Sequence, residues 1–153
     1  MYTITEILRM ARVKYSAYPH CLAGNIYQTD ANQLVGSYKD LRAFRKTDRN
    51  YASWQAHHVL EYDDLDRLGI RNHAPAYNDQ LCILLPKQAH VKRINSILRG
   101  DNPPKYQATA RELRSAYADA YELMGDYCGG GEAKIRKELL DIISAEFQKL
   151  GVR

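Results

Sequence analysis

WQAHHVLE (residues 54–61) places two of the chain's five histidines side by side at the head of an apolar, strand-like run. In an extended segment successive side chains point to opposite faces, so His57 and His58 do not share one core. One of them has a separate task, or one faces water. A second short apolar run, LCILLP (81–86), ends at a proline and reads as a buried strand. KQAHVKRINSILRG follows, with Val91, Ile94, Ile97 and Leu98 on one helical face and Gly100 as its stop. The region between the strands holds a single helical turn, DDLDRLGI, and a punctuated stretch, RNHAPAYNDQ.

Outward from this unit the pattern is helical. Thr3 to about Tyr18 carries apolar residues at helical spacing, with Thr3 and Glu6 as a capping box and Pro19 as the stop. Residues 20–30 read as a loop, and ANQLVGSYKDLRAFRKT as a helix interrupted by Gly36. After DNPPK, a helix places Tyr106, Ala110, Leu113, Tyr117, Tyr121 and Met124 three or four residues apart. CGGGE is a flexible joint, and a last helix runs from about Glu132 to Leu150. The expected fold is a predominantly helical α+β domain spanning 1–153, with a strand–loop–strand–helix insert at 54–99.

The totals agree with one globular domain. The chain has 153 residues, 45% of them apolar and 26% charged, enough for a real core. No run of 18 apolar residues indicates a transmembrane helix, and the N-terminus lacks the apolar core and cleavage site of a signal peptide. The net charge of +4 is a mild bias toward anionic partners. It is clustered: residues 39–49 hold five basic and two acidic side chains, and residues 87–114 hold seven and two. Ordinary solvated faces also produce such clusters. Cys21, Cys82 and Cys128 are odd in number and far apart, which argues against a disulfide framework or a four-cysteine zinc site. Asp63, Asp64 and Asp66 read as a solvated helix start, His73 as an exposed loop residue, and Trp54 as a hairpin anchor. Twelve tyrosines against two phenylalanines suit amphipathic surfaces and interfaces.

If the two strands pair and the helix crosses them, His90 approaches one member of the histidine doublet. Two imidazoles with water or a carboxylate suit a divalent metal. The remaining imidazole can take a proton from water. Together these are the requirements for cleaving a phosphodiester.

AHHVLE…LCILLPKQAHVKRINSILR resembles the HNH, or His-Me finger, nucleases, whose core is a β-hairpin and a helix around one metal ion. More narrowly, it is similar to the nuclease domains at the C-terminal ends of bacterial polymorphic toxins. The resemblance covers about residues 54–99. It implies that His57 and His90 are metal ligands, with Glu61 or water completing the shell, and that His58 is the general base. It implies an asparagine that accepts the base's other N–H; Asn78 is the candidate, with Gln80 and Asn95 as alternatives. Helix position 94 is Ile, where some members place a second histidine.

Within that frame Lys87, Lys92, Arg93 and Arg99 contact the nucleic-acid backbone, and Arg93 or Lys92 stabilises the transition state. The resemblance implies one divalent cation (Mg, Mn, Zn or Ni) and DNA as substrate without sequence preference, RNA remaining open. It further implies delivery into the cytoplasm of a rival bacterium and an immunity protein in the producer. Three alternatives stand beside it: a phage or mobile-element HNH endonuclease, a nucleic-acid-binding module with structural zinc, and an adaptor whose tyrosine-rich helices bind protein.

Overall fold

In the computed structural model, which describes residues 1–21, 24–89, 109–122 and 132–152, the two central runs pair as expected. Trp54–His58 (β4) and Leu81–Pro86 (β5) are antiparallel, with His57 opposite Ile83 and His58 opposite Cys82. They belong to a larger sheet. Tyr15–Ala17 (β1), Tyr27–Thr29 (β2) and Leu34–Ser37 (β3) extend it to five antiparallel strands in the order β1-β2-β3-β5-β4. Five helices stand beside it among the described residues: Ile4–Met10 (α1), Tyr38–Thr47 (α2), Tyr62–Arg67 (α3), Ala110–Ala120 (α4) and Glu132–Lys149 (α5). The fold is α+β, with the sheet and not a helical bundle at its centre.

Both faces of the sheet are covered, which is why LCILLP is apolar without alternation. Leu81, Ile83 and Leu85 join a core with α1, α3, α4 and α5, where Leu8, Leu65, Leu113, Tyr117, Leu139 and Ile143 are fully or almost fully buried. Cys82 and Leu84 face the other way, into a smaller core with Ile26, Leu41, Phe44 and Ala56 under α2. Cys82 is a core thiol whose pKa burial pushes well up.

Three expectations are corrected. The first helix stops at Met10 and does not reach Tyr18. Thr3 caps it as foreseen, accepting from the Glu6 N–H at 3.2 Å, but Arg12 turns left-handed at φ 57°. Val13 N–H then bonds the Leu8 carbonyl at 3.0 Å, a Schellman-type stop well before Pro19. Tyr15–Ala17 becomes an exposed edge strand. Within the expected 20–30 loop, Tyr27–Thr29 forms the strand that pairs with it.

The stretch 31–47 is a strand followed by a helix. Gly36 lies inside β3, where an added Cβ would sit 3.1 Å from the Asn25 carbonyl oxygen. The glycine therefore serves close backbone approach and not a helix interruption. Ser37 ends the strand and caps α2, accepting from the Asp40 N–H at 3.1 Å.

At Lys87 the chain enters a helical turn. The expected helix beyond it, with His90, Lys92, Arg93, Ile94, Asn95 and Arg99, lies outside the described residues, as do Tyr106, Cys128 and the three glycines of the CGGGE joint. Among the described residues no helix is long and apolar enough to cross a membrane.

Candidate active site

The histidine doublet resolves as the alternation of β4 requires, and neither ring faces water: His57 is 1% and His58 6% exposed. His57 shares the face of Ile83 and meets α4. His58 shares the face of Cys82 and meets α2. The strand ends at His58, and both histidines are among the residues that line one cleft. This cleft has a volume of about 500 Å³; Tyr38, Arg42, Arg45, Glu61, Tyr62 and Tyr77 line it with the two histidines.

His58 is held by three contacts. Its ring stacks on Tyr38, centroids 4.9 Å apart and planes 20° from parallel. Tyr77 packs against it at 4.4 Å. Its Nε2–H donates to the Tyr77 carbonyl at 2.9 Å. That bond leaves Nδ1 of the neutral ring with the lone pair. Burial lowers the pKa and the Tyr77 carbonyl partly opposes the shift, so the ring is neutral at physiological pH and can accept a proton.

The acceptor expected at Asn78 is therefore replaced by main chain. The 3₁₀ turn Tyr77–Asp79 brings the Tyr77 carbonyl to His58, while the Asn78 side chain is exposed. Gln80 does not take the role either: it is 1% exposed, and neither polar atom of its amide has a hydrogen-bond partner among the described residues.

His57 is fixed from α4. Its Nε2 lies 2.9 Å from the Tyr121 hydroxyl, and that hydroxyl lies 2.6 Å from the Val59 carbonyl. On its other side, Nδ1 lies 3.7 Å from Glu61 Oε1. One turn earlier in α4, the Tyr117 hydroxyl accepts from the Glu61 N–H at 2.6 Å and donates to Asp64. Asp64 also pairs with Arg67 and is fully buried. Its carboxyl pKa is raised because burial outweighs the help of Tyr117 and Arg67. Asp64 is thus a buried anchor of the loop, contrary to a solvated helix start. Asp63 is exposed, and Asp66 pairs with Arg71.

The His57–Glu61 contact, Nδ1 to Oε1 at 3.7 Å, is an ion pair when the ring is protonated. Among the described residues no group of three His, Cys, Asp or Glu side chains comes together to hold a metal; His90, the expected further ligand, lies outside them.

Positive charge enters the cleft from α2. The Arg42 guanidinium sits 5.4 Å from the Tyr38 ring centroid, and Arg45 donates to the Trp54 carbonyl at 2.7 Å. Both belong to the basic run 39–49, whose ordinary reading is a solvated face. Lys87, by contrast, follows Pro86, which pairs with Trp54 at the hairpin end remote from His58. It stands five residues past Cys82, about 16 Å along an extended strand. Trp54 anchors that end, half-buried and edge-on to Tyr51. His73 is exposed, as is His20, edge-on to Tyr18.

Comparison of the chain with protein-family models, with curated proteins and with solved structures finds no match.

Proposed function

We propose that this chain is a metal-dependent endonuclease that hydrolyses phosphodiester bonds in DNA with little sequence preference, and that it acts as an antibacterial toxin domain restrained by an immunity protein. The observation that carries the enzymatic reading is the fork at the end of β4. There, two adjacent histidines line one cleft, one ring 3.7 Å from a carboxylate and the other clamped with its Nε2–H committed to main chain and its Nδ1 left as the acceptor. The toxin reading rests on the resemblance of residues 54–99 to polymorphic-toxin nucleases.

His57 and Glu61 would hold the cation, with His90 as the further ligand that the resemblance implies. When bound, the ion supplies charge stabilisation at the phosphate and the leaving oxygen. His58 Nδ1 takes a proton from water, whose oxygen forms the new bond to phosphorus as the P–O ester bond breaks. The departing oxygen is protonated from solvent. Arg42 and Arg45 meet the phosphate backbone without reading bases, which accounts for weak sequence preference.

The test is digestion of supercoiled plasmid and of structured RNA by purified protein, with each of Mg, Mn, Zn and Ni, with and without EDTA, beside His58→Ala. Plasmid nicking that EDTA stops and His58→Ala lacks is expected. RNA cleavage alone would move the substrate to RNA. No cleavage with any of the four ions, or equal cleavage by His58→Ala, would overturn the reading.

A further inference from the structure

The cleft beside His58 carries a rim of aromatic rings. Tyr77 meets Tyr38 edge to face at 4.7 Å and Tyr62 at 5.3 Å, and its ring centroid lies 4.4 Å from that of His58. Despite these neighbours Tyr77 is 43% exposed. Among the described residues Tyr15 is the only other exposed tyrosine, and it does not line this cleft. The ends of the rim differ in charge. At one end the Arg71 guanidinium covers the Tyr62 ring at 4.3 Å, and its charge is met by Asp66 and, at 3.6 Å, by Asp63. At the other, Arg42 is exposed over Tyr38 at 5.4 Å, and Arg45 lines the same cleft.

We infer that the cleft takes an unpaired nucleic-acid strand, with a base stacked on the Tyr77 ring and the adjoining phosphate against Arg42. The inference rests on the proposed nuclease function for the class of ligand, and adds which strand state is bound. A stacking ring needs a base that offers a free π-face. In a duplex both faces of each base are taken by neighbours, and extruding a base costs an unstacking energy that a single strand avoids. Every base has a π-face, so such a contact tolerates any sequence. Tyr77 also holds the His58 Nε2–H through its main-chain carbonyl at 2.9 Å. A nucleotide seated on its ring therefore lies beside the proposed general base.

Charge alone predicts the opposite preference. Duplex DNA carries a phosphate charge about every 1.7 Å of axis, twice the density along one of its strands. Arg42 and Arg45 by themselves thus favour the duplex, and selection of a single strand reports the bases. Negative supercoiling aids strand opening, so a supercoiled plasmid still presents unpaired bases.

The test measures binding by the full chain in EDTA, so that no strand is cut. Fluorescence anisotropy compares three labelled ligands: an unstructured DNA single strand, the same sequence as a blunt duplex, and an abasic strand with the same number of phosphates. The single strand should bind tightest, with the duplex and the abasic strand weaker by about 5-fold or more. Tyr77→Phe keeps the ring and should bind as the parent does. Tyr77→Leu fills the space without a π-face and should bind the single strand about 5- to 150-fold more weakly, with its affinity for the duplex and its circular dichroism spectrum retained. A duplex or an abasic strand bound as tightly as the single strand would overturn the inference, and both comparisons use the parent alone. Unchanged single-strand affinity in Tyr77→Leu, or no binding of any ligand by the parent, would overturn it as well. A single strand bound in this way yet left uncut when Mg, Mn, Zn or Ni is added would defeat the nuclease reading alone. Cutting of relaxed duplex as fast as of single strand would defeat the inference alone.

Discussion

The His58 imidazole lies flat against the Tyr38 ring, 4.9 Å between centroids, with its Nε2–H committed to the Tyr77 carbonyl. One nitrogen is spoken for by main chain and the other is left to accept. In the proposed reaction that second nitrogen is the general base. His58→Ala is expected to lower plasmid nicking by about 10²- to 10⁴-fold, the usual contribution of a general base. Mn²⁺ binding and the far-ultraviolet dichroism should persist, and gel-based nicking beside calorimetry checks both.

Removing either half of the His57–Glu61 pair acts on the ion and not on the base. His57→Ala and Glu61→Gln should each weaken Mn²⁺ binding by about 10-fold or more. Excess ion should restore more activity to Glu61→Gln than to His57→Ala, because an amide oxygen still coordinates while a methyl group does not. A titration of nicking rate against ion concentration distinguishes them.

Arg42 and Arg45 meet the cleft from α2, so their removal should affect affinity for nucleic acid uniformly across sequences. Each Arg→Ala change is expected to reduce the slope of log affinity against log salt by about 0.9 for every phosphate that the arginine neutralises. Arg45→Ala should also destabilise the protein by about 1.5–3 kcal/mol, because its bond to the Trp54 carbonyl is charge-assisted. Filter binding at several salt concentrations and a urea melt read the two effects.

Glu146 is a buried carboxyl away from the cleft. It accepts from the Tyr2 hydroxyl at 2.7 Å, joining the N-terminus to α5 across 144 residues of sequence. Burial raises its pKa from 4.5 to about 8, against the smaller lowering by Tyr2. Between those values the folded state holds a proton that the unfolded chain has lost, so stability falls as pH rises through the window. The slope for one such proton is about 1.4 kcal/mol per pH unit. Glu146→Gln keeps the acceptor for Tyr2 and removes the titration. Urea melts from about pH 5 to about pH 8.5 should show a declining contribution in the parent that the variant lacks.

Arg12 occupies the left-handed region at φ 57°, where a side chain costs about 1–2 kcal/mol and glycine does not. Arg12→Gly should therefore raise stability by about 0.5–1 kcal/mol after glycine's greater loss of chain entropy. Asn32, also left-handed at φ 62°, tolerates that conformation better, and Asn32→Gly should change little. Thermal melts of the two variants make the comparison.

The local patterns of the central unit were legible. Trp54–His58 and Leu81–Pro86 are the expected strands, Tyr62–Arg67 is the expected short helix, and the α4 and α5 regions follow their helical stripes. The N-terminal third was not. Tyr15 and Tyr18 sit at helical spacing from Ala11, yet an edge strand forms there, because pairing with Tyr27–Thr29 supplies backbone bonds that no local pattern encodes. The same holds for Leu34–Ser37, stabilised by strands on both sides that lie far apart in sequence.

The sequence alone determined that His57 and His58 must diverge, since adjacent residues of a strand take opposite faces, and it marked them as chemically unusual. Tertiary structure decided what each ring meets: Tyr121 and Glu61 for His57, Tyr38 and the Tyr77 carbonyl for His58. It also brought Arg42 and Arg45 from an ordinary-looking basic helix into the same cleft. Side-chain alternation follows from the geometry of a single strand, whereas the partner of a hydrogen bond depends on how distant segments pack. The tautomer of an imidazole, and with it the chemistry of the site, follows from those partners.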